Sequence, residues 1–397
     1  MTLKSGAQRR KQGSNLPRIA VLVDTSTNWG RRVVTGINNY SRKHGLWQLF
    51  VEARGLEEHI KVPPGWRGDG IIARVGSALM AKELRAHHLP VVNVSGIHLP
   101  GVDFLRVTTD TEKTAELAVQ HFLNRGFRNF AYFSLLGLSY VAESQYAFVT
   151  KVRDAGCECA VQGVGVHKGA EPDWNLDILK LARWLKDLPK PVGILTWNAD
   201  SGRQIIYACE RAGLHVPEEV ALLSGSDDDL LCEVSHIPIS AILVAGEQIG
   251  YQAAELLDRL LRGRTVPKEP VIIPPLGIVT RQSTETLAIR DRALGAAVSF
   301  IRMNAAKLIQ VNEVARHAGI SRRVLERRFA QTLHRTVAEE IRRVHLERAK
   351  ALLVETDMPI PEVAEASGFG SPEYLAYVFN KELGQTPLRY RKKIRGW

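Results

Sequence analysis

The fold this 397-residue sequence predicts is a two-lobed α/β core, with parallel sheets flanked by helices, followed by an all-α region with two helix-turn-helix units. Three observations lead there. From Pro17 onward short apolar runs alternate with amphipathic helical stretches, and the alternation restarts near Thr109. A helical segment is written twice, at 311–329 and again at 360–379. Excess positive charge sits on that C-terminal region, where residues 294–397 hold 18 Lys+Arg against 11 Asp+Glu.

The elements follow in order. Residues 1–16 hold four basic and no acidic residues and read as a disordered basic tail. No apolar segment follows it, which predicts neither a signal peptide nor an anchor. RIAVLVD (18–24) is an apolar run of the buried-strand kind. TSTNWG comes next, then a helix, RRVVTGINNYSRKHG, closed by Gly45. WQLFVEAR (47–54), GDGIIARV (68–75) and LPVVNVSG (89–96) read as strands, with ALMAKELRAHH as a helix. The second lobe opens with a helix from Thr109 to Gly126. RNFAYFS, ECAVQGVGV, PVGILTWN and VALLSGSDD then alternate as strands with the helices YVAESQYAFVTKVRDAG, NLDILKLARWLKDL and ADSGRQIIYACERAG. The helix QIGYQAAELLDRLLR and the strand VIIPPLGIVTR complete the lobes. Strands alternating with helices give parallel sheets with crossover helices. Ligands of such sheets sit beyond the carboxyl ends of the strands. The expected organisation is a core over 17–282, a linker over 283–294 and a helical domain over 295–397.

In the repeat, Glu313, Val314, Ala315 and Gly319 fall on Glu362, Val363, Ala364 and Gly368. After one inserted residue, Gly370, the positions Ser321, Leu325 and Phe329 fall on Ser371, Leu375 and Phe379. A repeat of this kind calls for a physical cause. Glycine ends the first helix in a left-handed conformation, and serine caps the second. Leu and Phe four residues apart share one buried stripe. This is helix-turn-helix grammar, over 311–332 and 360–383. Between the copies, a helix over 336–356 carries Ile341, Val344, Leu346, Ala349, Leu352 and Leu353 at helical spacing. Some 20 helical residues span about 30 Å, near the roughly 34 Å between successive major-groove sites on B-DNA. The second helix of copy one shows Arg322, Arg323, Glu326, Arg327 and Arg328 outward; copy two has Pro372, Glu373, Tyr374, Ala376 and Tyr377. Arginine can pair bidentately with guanine. Copy one is expected to read bases strongly, and copy two weakly or to hold backbone.

Composition narrows the function. Residues 17–293 carry 31 basic and 31 acidic residues, so the net charge of +11 belongs to the tail and the repeat region. A polyanion partner for that region follows. No run approaches about 18 apolar residues, which predicts no membrane partner. Cys157, Cys159, Cys209 and Cys232 have neither disulfide nor zinc spacing, so reduced thiols, a cytoplasmic location, no metal and no cofactor are expected.

The C-terminal segment resembles the DNA-binding domain of AraC/XylS-family transcription regulators. GFGSPEYLAYVFNKELGQTPLRYR, Gly368 to Arg391, matches the family's closing pattern. The resemblance implies base-facing positions Arg322, Arg323, Glu326 and Arg327 in copy one. In copy two it implies Glu373, Tyr374 and Tyr377, with Ser321 and Ser371 at the helix starts. Tyr377 stands where many relatives carry arginine. The core resembles the ligand-binding domain of LacI/GalR regulators and of type I periplasmic sugar-binding proteins. IAVLVDTSTNWGRRVVTGINNY, GDGIIAR, the run from Thr109 through RGFRNFAYFS, and AGLHVPEEVALLSGSDD carry that likeness. A core of this kind joined to an AraC-type end is the arrangement of xylose operon regulators, to which the whole chain is similar.

Effector contacts are expected at strand ends: Trp29, Arg31, Arg74, Asn198, Asp200 and Asp227, with a surface or interlobe ion pair as the alternative for Arg31 and Arg74. Asn, Asp and Arg supply hydrogen bonds to hydroxyls, and Trp supplies an apolar face. Trp197 is either a second platform or part of the core. The resemblance supports Asn198 and Asp227 as ligand-contacting positions. Relatives commonly show Asp where Ser226 stands and an arginine near Ser144. Either Asp227 or Asp228 takes the first role with a small register change, or the effector differs.

The expected function is a sugar-responsive, sequence-specific DNA-binding transcription regulator. The resemblance implies a pentose, xylose-like operon, activation, a homodimer on double-stranded promoter DNA, and RNA polymerase as a further candidate partner. The alternatives are a non-specific nucleic-acid-binding protein and an α/β enzyme tethered to DNA. The enzyme reading lacks GxSxG, Walker, GxGxxG and HExxH motifs. The run Asp227–Asp229 resembles a solvated loop more than a Mg²⁺ site. No catalytic residue is assigned.

Overall fold

A computed structural model describes residues 16–51, 62, 65–136, 139–165, 174–285 and 291–395. The chain opens with β1 (Arg18–Leu22), α1 (Asn28–His44), β2 (Gln48–Val51), β3 (Gly70–Ala73), α2 (Ala78–Ala86), β4 (Val91–Asn93) and β5 (Leu105–Thr109). Then come α3 (Thr111–Leu123), β6 (Asn129–Leu136), α4 (Ser139–Asp154), β7 (Glu158–Gly165), α5 (Trp174–Asp187) and β8 (Val192–Thr196). Next are α6 (Ala199–Ala212), β9 (Val220–Ser224), α7 (Asp229–Glu233) and β10 (Ser240–Leu243). The core ends with α8 (Gly246–Leu261), β11 (Val271–Ile273), β12 (Gly277–Val279) and a 3₁₀ turn over Gln282–Thr284.

Two compact units result. One runs to Thr108 and includes Gly246–Ile272, while the other holds Thr109–Ala245 and the chain from Ile273 onward. Their sheets have the orders β11-β5-β4-β3-β1-β2 and β12-β10-β9-β8-β6-β7. The pairings of β1 with β2 and β3, and of β8 with β6 and β9, are parallel, and β12 runs antiparallel to β10. β3, β4, β8 and β9 are buried along their whole length. Parallel strands covered by helices on both faces require this. Within the first unit α1 and α8 meet backbone to backbone. A Cβ on Gly36 would lie 2.0 Å from the Glu247 carbonyl oxygen, and one on Gly250 2.0 Å from that of Val33.

The structure differs from the sequence reading in several places. The helix expected from Arg31 starts at Asn28, because Thr27 caps it by accepting from the Gly30 N–H. Trp29 and Arg31 therefore sit in a first helical turn. LRVTT is a strand, and α3 begins only after Asp110, whose side chain accepts from the Lys113 N–H. VIIPPLGIVTR is two strands, one in each sheet, broken at Pro274–Pro275. Proline offers no N–H to a ladder. Of the segment expected as linker, Ser283 and Thr284 are buried in the second unit. Arg292 already opens a helix, and 286–290 lie outside the described residues, as do 1–15 and the 52–54 end of the second expected strand.

The C-terminal region is α9 (Arg292–Met303), α10 (Val311–His317), α11 (Arg322–Leu333), α12 (Val337–Glu355), α13 (Ile360–Ala366), α14 (Pro372–Leu383) and α15 (Pro387–Arg395). It holds two apolar cores. Val314, Leu325 and Phe329 gather with Ile341 and Val344 of α12 and with α9. Val363, Leu375 and Phe379 gather with Leu346, Ala349 and Leu353 of α12 and with Tyr390. One helix thus supplies a wall to each core. Its 19 residues make a bar about 28 Å long at 1.5 Å per residue. Gly319 and Gly368 end α10 and α13 at φ of +67° and +75°, the left-handed turn that glycine adopts without a Cβ penalty.

Candidate DNA-reading heads and effector-site residues

Each head presents the second helix of its pair. Ser321 Oγ accepts from the Val324 N–H at 3.4 Å, and Ser371 Oγ from the Tyr374 N–H at 3.2 Å. These caps fix where α11 and α14 start. Arg322, Arg323, Glu326 and Arg327 are all exposed. Arg322 Nε and Glu326 Oε1 pair at 2.8 Å. An exposed pair of this kind contributes little stability, but it holds two side chains on the same face. Arg323 and Arg327 have no ion-pair partner among the described residues. Arg328, expected to face outward, instead donates twice to Asp291, at 2.9 and 2.7 Å. Asp291 caps α9, so Arg328 ties the first head together.

The second head is chemically different. Tyr374 and Tyr377 are 47% and 57% exposed, with rings stacked at 6.3 Å and 15°. Glu373 lies in the first turn, where a backbone N–H and the Ser371 hydroxyl hold its carboxyl below the usual range. This face offers phenol hydroxyls and aromatic surface in place of cations.

The effector candidates fall in both units. In the first unit, the Arg74 guanidinium lies 5.5 Å from the centre of the half-buried Trp29 ring. Arg31 Nη1 donates to the carbonyls of Thr25 and Ser26 at 3.1 and 2.8 Å, clamping the loop after β1. In the second unit, Asn198 caps α6 by accepting from the Ser201 N–H at 2.9 Å, and the exposed Asp200 sits in that helix's first turn. Asp227 is nearly buried and ion-paired with Arg281 at 3.2 Å. Trp197 lies one residue past β8, half-buried.

Sequence reasoning missed three residues. Arg281 holds Asp227 from 54 residues away. Asp24, at the end of the first strand run, is 3% exposed; its Oδ1 accepts from Ser26, and its buried Oδ2 has no partner among the described residues. Ser134 of β6 is likewise buried with an unpartnered hydroxyl. A polar residue within or just after an apolar strand run is the signal that would have found the last two.

Residues 18–107 match the XylR N-terminal domain model, 119–284 the periplasmic binding protein-like domain model, and 314–393 a helix-turn-helix domain model. The xylose operon regulatory protein of Escherichia coli (strain K12) is 32% identical over 386 residues, covering 94% of this chain and 96% of that protein. The chain belongs to the xylose operon regulatory protein family. The family's Haemophilus influenzae member is 31% identical over 382 residues, covering 94% of this chain and 98% of that one. A solved structure described as the xylose-binding transcription activator xylR superposes with a TM-score of 0.62 at 30% identity, covering 96% of this chain and 99% of that one. As a member of this family the chain is a DNA-binding transcription regulator and not an enzyme.

Proposed function

We propose that the chain is a pentose-responsive activator of a carbohydrate-utilisation operon. It works in the cytoplasm as a homodimer on double-stranded promoter DNA, where it meets RNA polymerase. The observation that carries this reading is the end-to-end match to xylose operon regulators, which spans core and heads together. Residues 17–284 serve as the effector domain and 291–397 as the DNA-binding domain. Arg322, Arg323, Glu326 and Arg327 read base edges, while Ser321 and Ser371 fix the helix starts beside the backbone. Glu373, Tyr374 and Tyr377 add a weaker second contact. Trp29, Arg31, Arg74, Asn198, Asp200 and Asp227 bind the sugar. The Trp29–Arg74 stack supports this role, since it joins an apolar face to hydrogen-bond donors as a sugar ring requires. No helix among the described residues is long and apolar enough to cross a membrane.

A melting-temperature screen of the full chain against pentoses and hexoses tests the reading. A pentose is expected to raise the midpoint, and no response to any sugar would refute it. Asn198→Asp sharpens the screen. Aspartate caps a helix as well as asparagine does, so α6 stays intact while the amide donors are lost. Sugar affinity is expected to fall by about 1–3 kcal/mol with the sugar-free midpoint unchanged. Unaltered affinity would remove Asn198 from the site.

A further inference from the structure

A chain of polar groups, buried from Ser240 to Arg125, runs from Asp227 to the foot of the first head, its last step being the peptide link between Arg125 and Asn124. Asp227 and Arg281, the ion pair at its start, have side chains 3% and 11% exposed. The Arg281 backbone brackets Ser240. Its N–H donates to Ser240 Oγ at 2.8 Å, and its carbonyl accepts from that hydroxyl at 3.0 Å. Ser240 Oγ lies 2.7 Å from Thr284 Oγ1, which lies 2.9 Å from His121 Nε2. On the other side of the imidazole, Arg125 Nη1 is 3.0 Å from Nδ1. Arginine can only donate, so Nδ1 accepts and Nε2 carries the proton toward Thr284. Arg125 also donates to the Thr284 carbonyl at 2.8 Å.

The neighbouring residue, Asn124, caps the C-terminal end of α3. Both its oxygens accept from Arg335, the side-chain one at 2.8 Å. Arg335 sits in the turn between α11 and α12. Its Nε is 2.7 Å from a carboxylate oxygen of Glu340, whose side chain is fully buried and also pairs with Arg343 at 2.7 Å. A cation at a helix C-terminus is favoured by the helix dipole.

Beside the contact lies a cavity of about 760 Å³, lined by Asn124, Arg335, Arg342 and Lys381 together with Leu123 and Leu333. The contact can part without unfolding either side, because Glu340 would keep both hydrogen bonds from Arg343.

We propose that the Arg335–Asn124 contact is a latch that fixes the first reading head on the second lobe, and that the polar chain from Asp227 sets whether it is closed. Its input rests on the sugar reading above; its effect on DNA binding does not. The test uses the full chain and a duplex selected from random DNA by the wild-type protein, with affinity read by anisotropy. Arg335→Ala, Asn124→Ala and the double variant are titrated with and without a pentose that raises the wild-type melting midpoint. Without sugar, Arg335→Ala is expected to alter affinity at least about fivefold and Asn124→Ala, which keeps the backbone acceptor, at least about twofold, with the double no further displaced than Arg335→Ala. With sugar, the wild-type fold-change is expected to shrink below about twofold in each variant while the sugar still raises the melting midpoint. Single variants within about twofold of wild type, or effects that add, would overturn the latch. A wild type deaf to every sugar would sink the sugar reading, and the sugar-free arm would still decide the latch. Should Arg335→Ala fail to fold, Arg335→Gln, which removes the cation and keeps most of the side-chain stem, takes its place in the same comparison.

Discussion

His121 is held neutral by its surroundings. Burial lowers its affinity for a proton well below the ordinary value of 6.5, and the charges of Arg125, Arg343 and Arg302 lower it further. His345 is shifted the same way, chiefly by burial. The unfolded chain takes up these protons near pH 6.5 and the folded chain resists, so their contribution is complete above that pH and lost as pH falls below it. Glu340 behaves oppositely. Burial would raise its pKa, but the hydrogen bond from Arg343 and the charges of Arg343 and Arg335 outweigh that and hold it below 4.5. Its contribution is lost only as pH falls below that value. Between those limits the histidines dominate. The urea midpoint is expected to fall from about pH 7 to about pH 5.5, and His121→Asn to flatten part of the slope. Equal slopes in the two proteins would show that His121 does not titrate as described. Glu340→Ala leaves Arg335 and Arg343 without their buried carboxylate and is expected to cost about 3–5 kcal/mol by denaturant titration. A loss below about 1 kcal/mol would mean that water already compensates those charges.

At the scale of elements, the two heads share a frame and differ in surface. α11 presents Arg322, Arg323 and Arg327, and α14 presents Tyr374 and Tyr377, all exposed. Arg323→Ala is expected to cost about 1–3 kcal/mol of operator affinity, against less for Tyr377→Ala, with melting unchanged in both. Equal losses would contradict the division of labour. The heads were legible in the sequence because their signals are local: a Gly, a Ser and a Leu–Phe stripe at fixed spacing. The alternating core was legible for the same reason. What escaped was decided by distant partners. SAIL becomes a strand only between β9 and β12. VIIPPLGIVTR serves two sheets because residues far along the chain offer both edges. Arg328 looked like its neighbours until Asp291, 37 residues earlier, turned it inward. Arg281 could not be paired with Asp227 from spacing alone.

For the whole molecule, connectivity matters as much as packing. The chain passes between its two units three times, after Thr108, Ala245 and Ile272. The two units are therefore joined by three strands of backbone. The heads hang on α12, whose two halves belong to different cores, so one head cannot rotate alone without disturbing the bar. A sugar moves this assembly only by binding one arrangement more tightly than another. Hydroxyl-radical footprinting of the full chain on its selected duplex tests this most directly. The expected pattern is paired protections about 10 base pairs apart within each half-site, the stronger under the first head and both altered in depth by a pentose. A single one-turn protection per half-site, unchanged by sugar, would contradict the account.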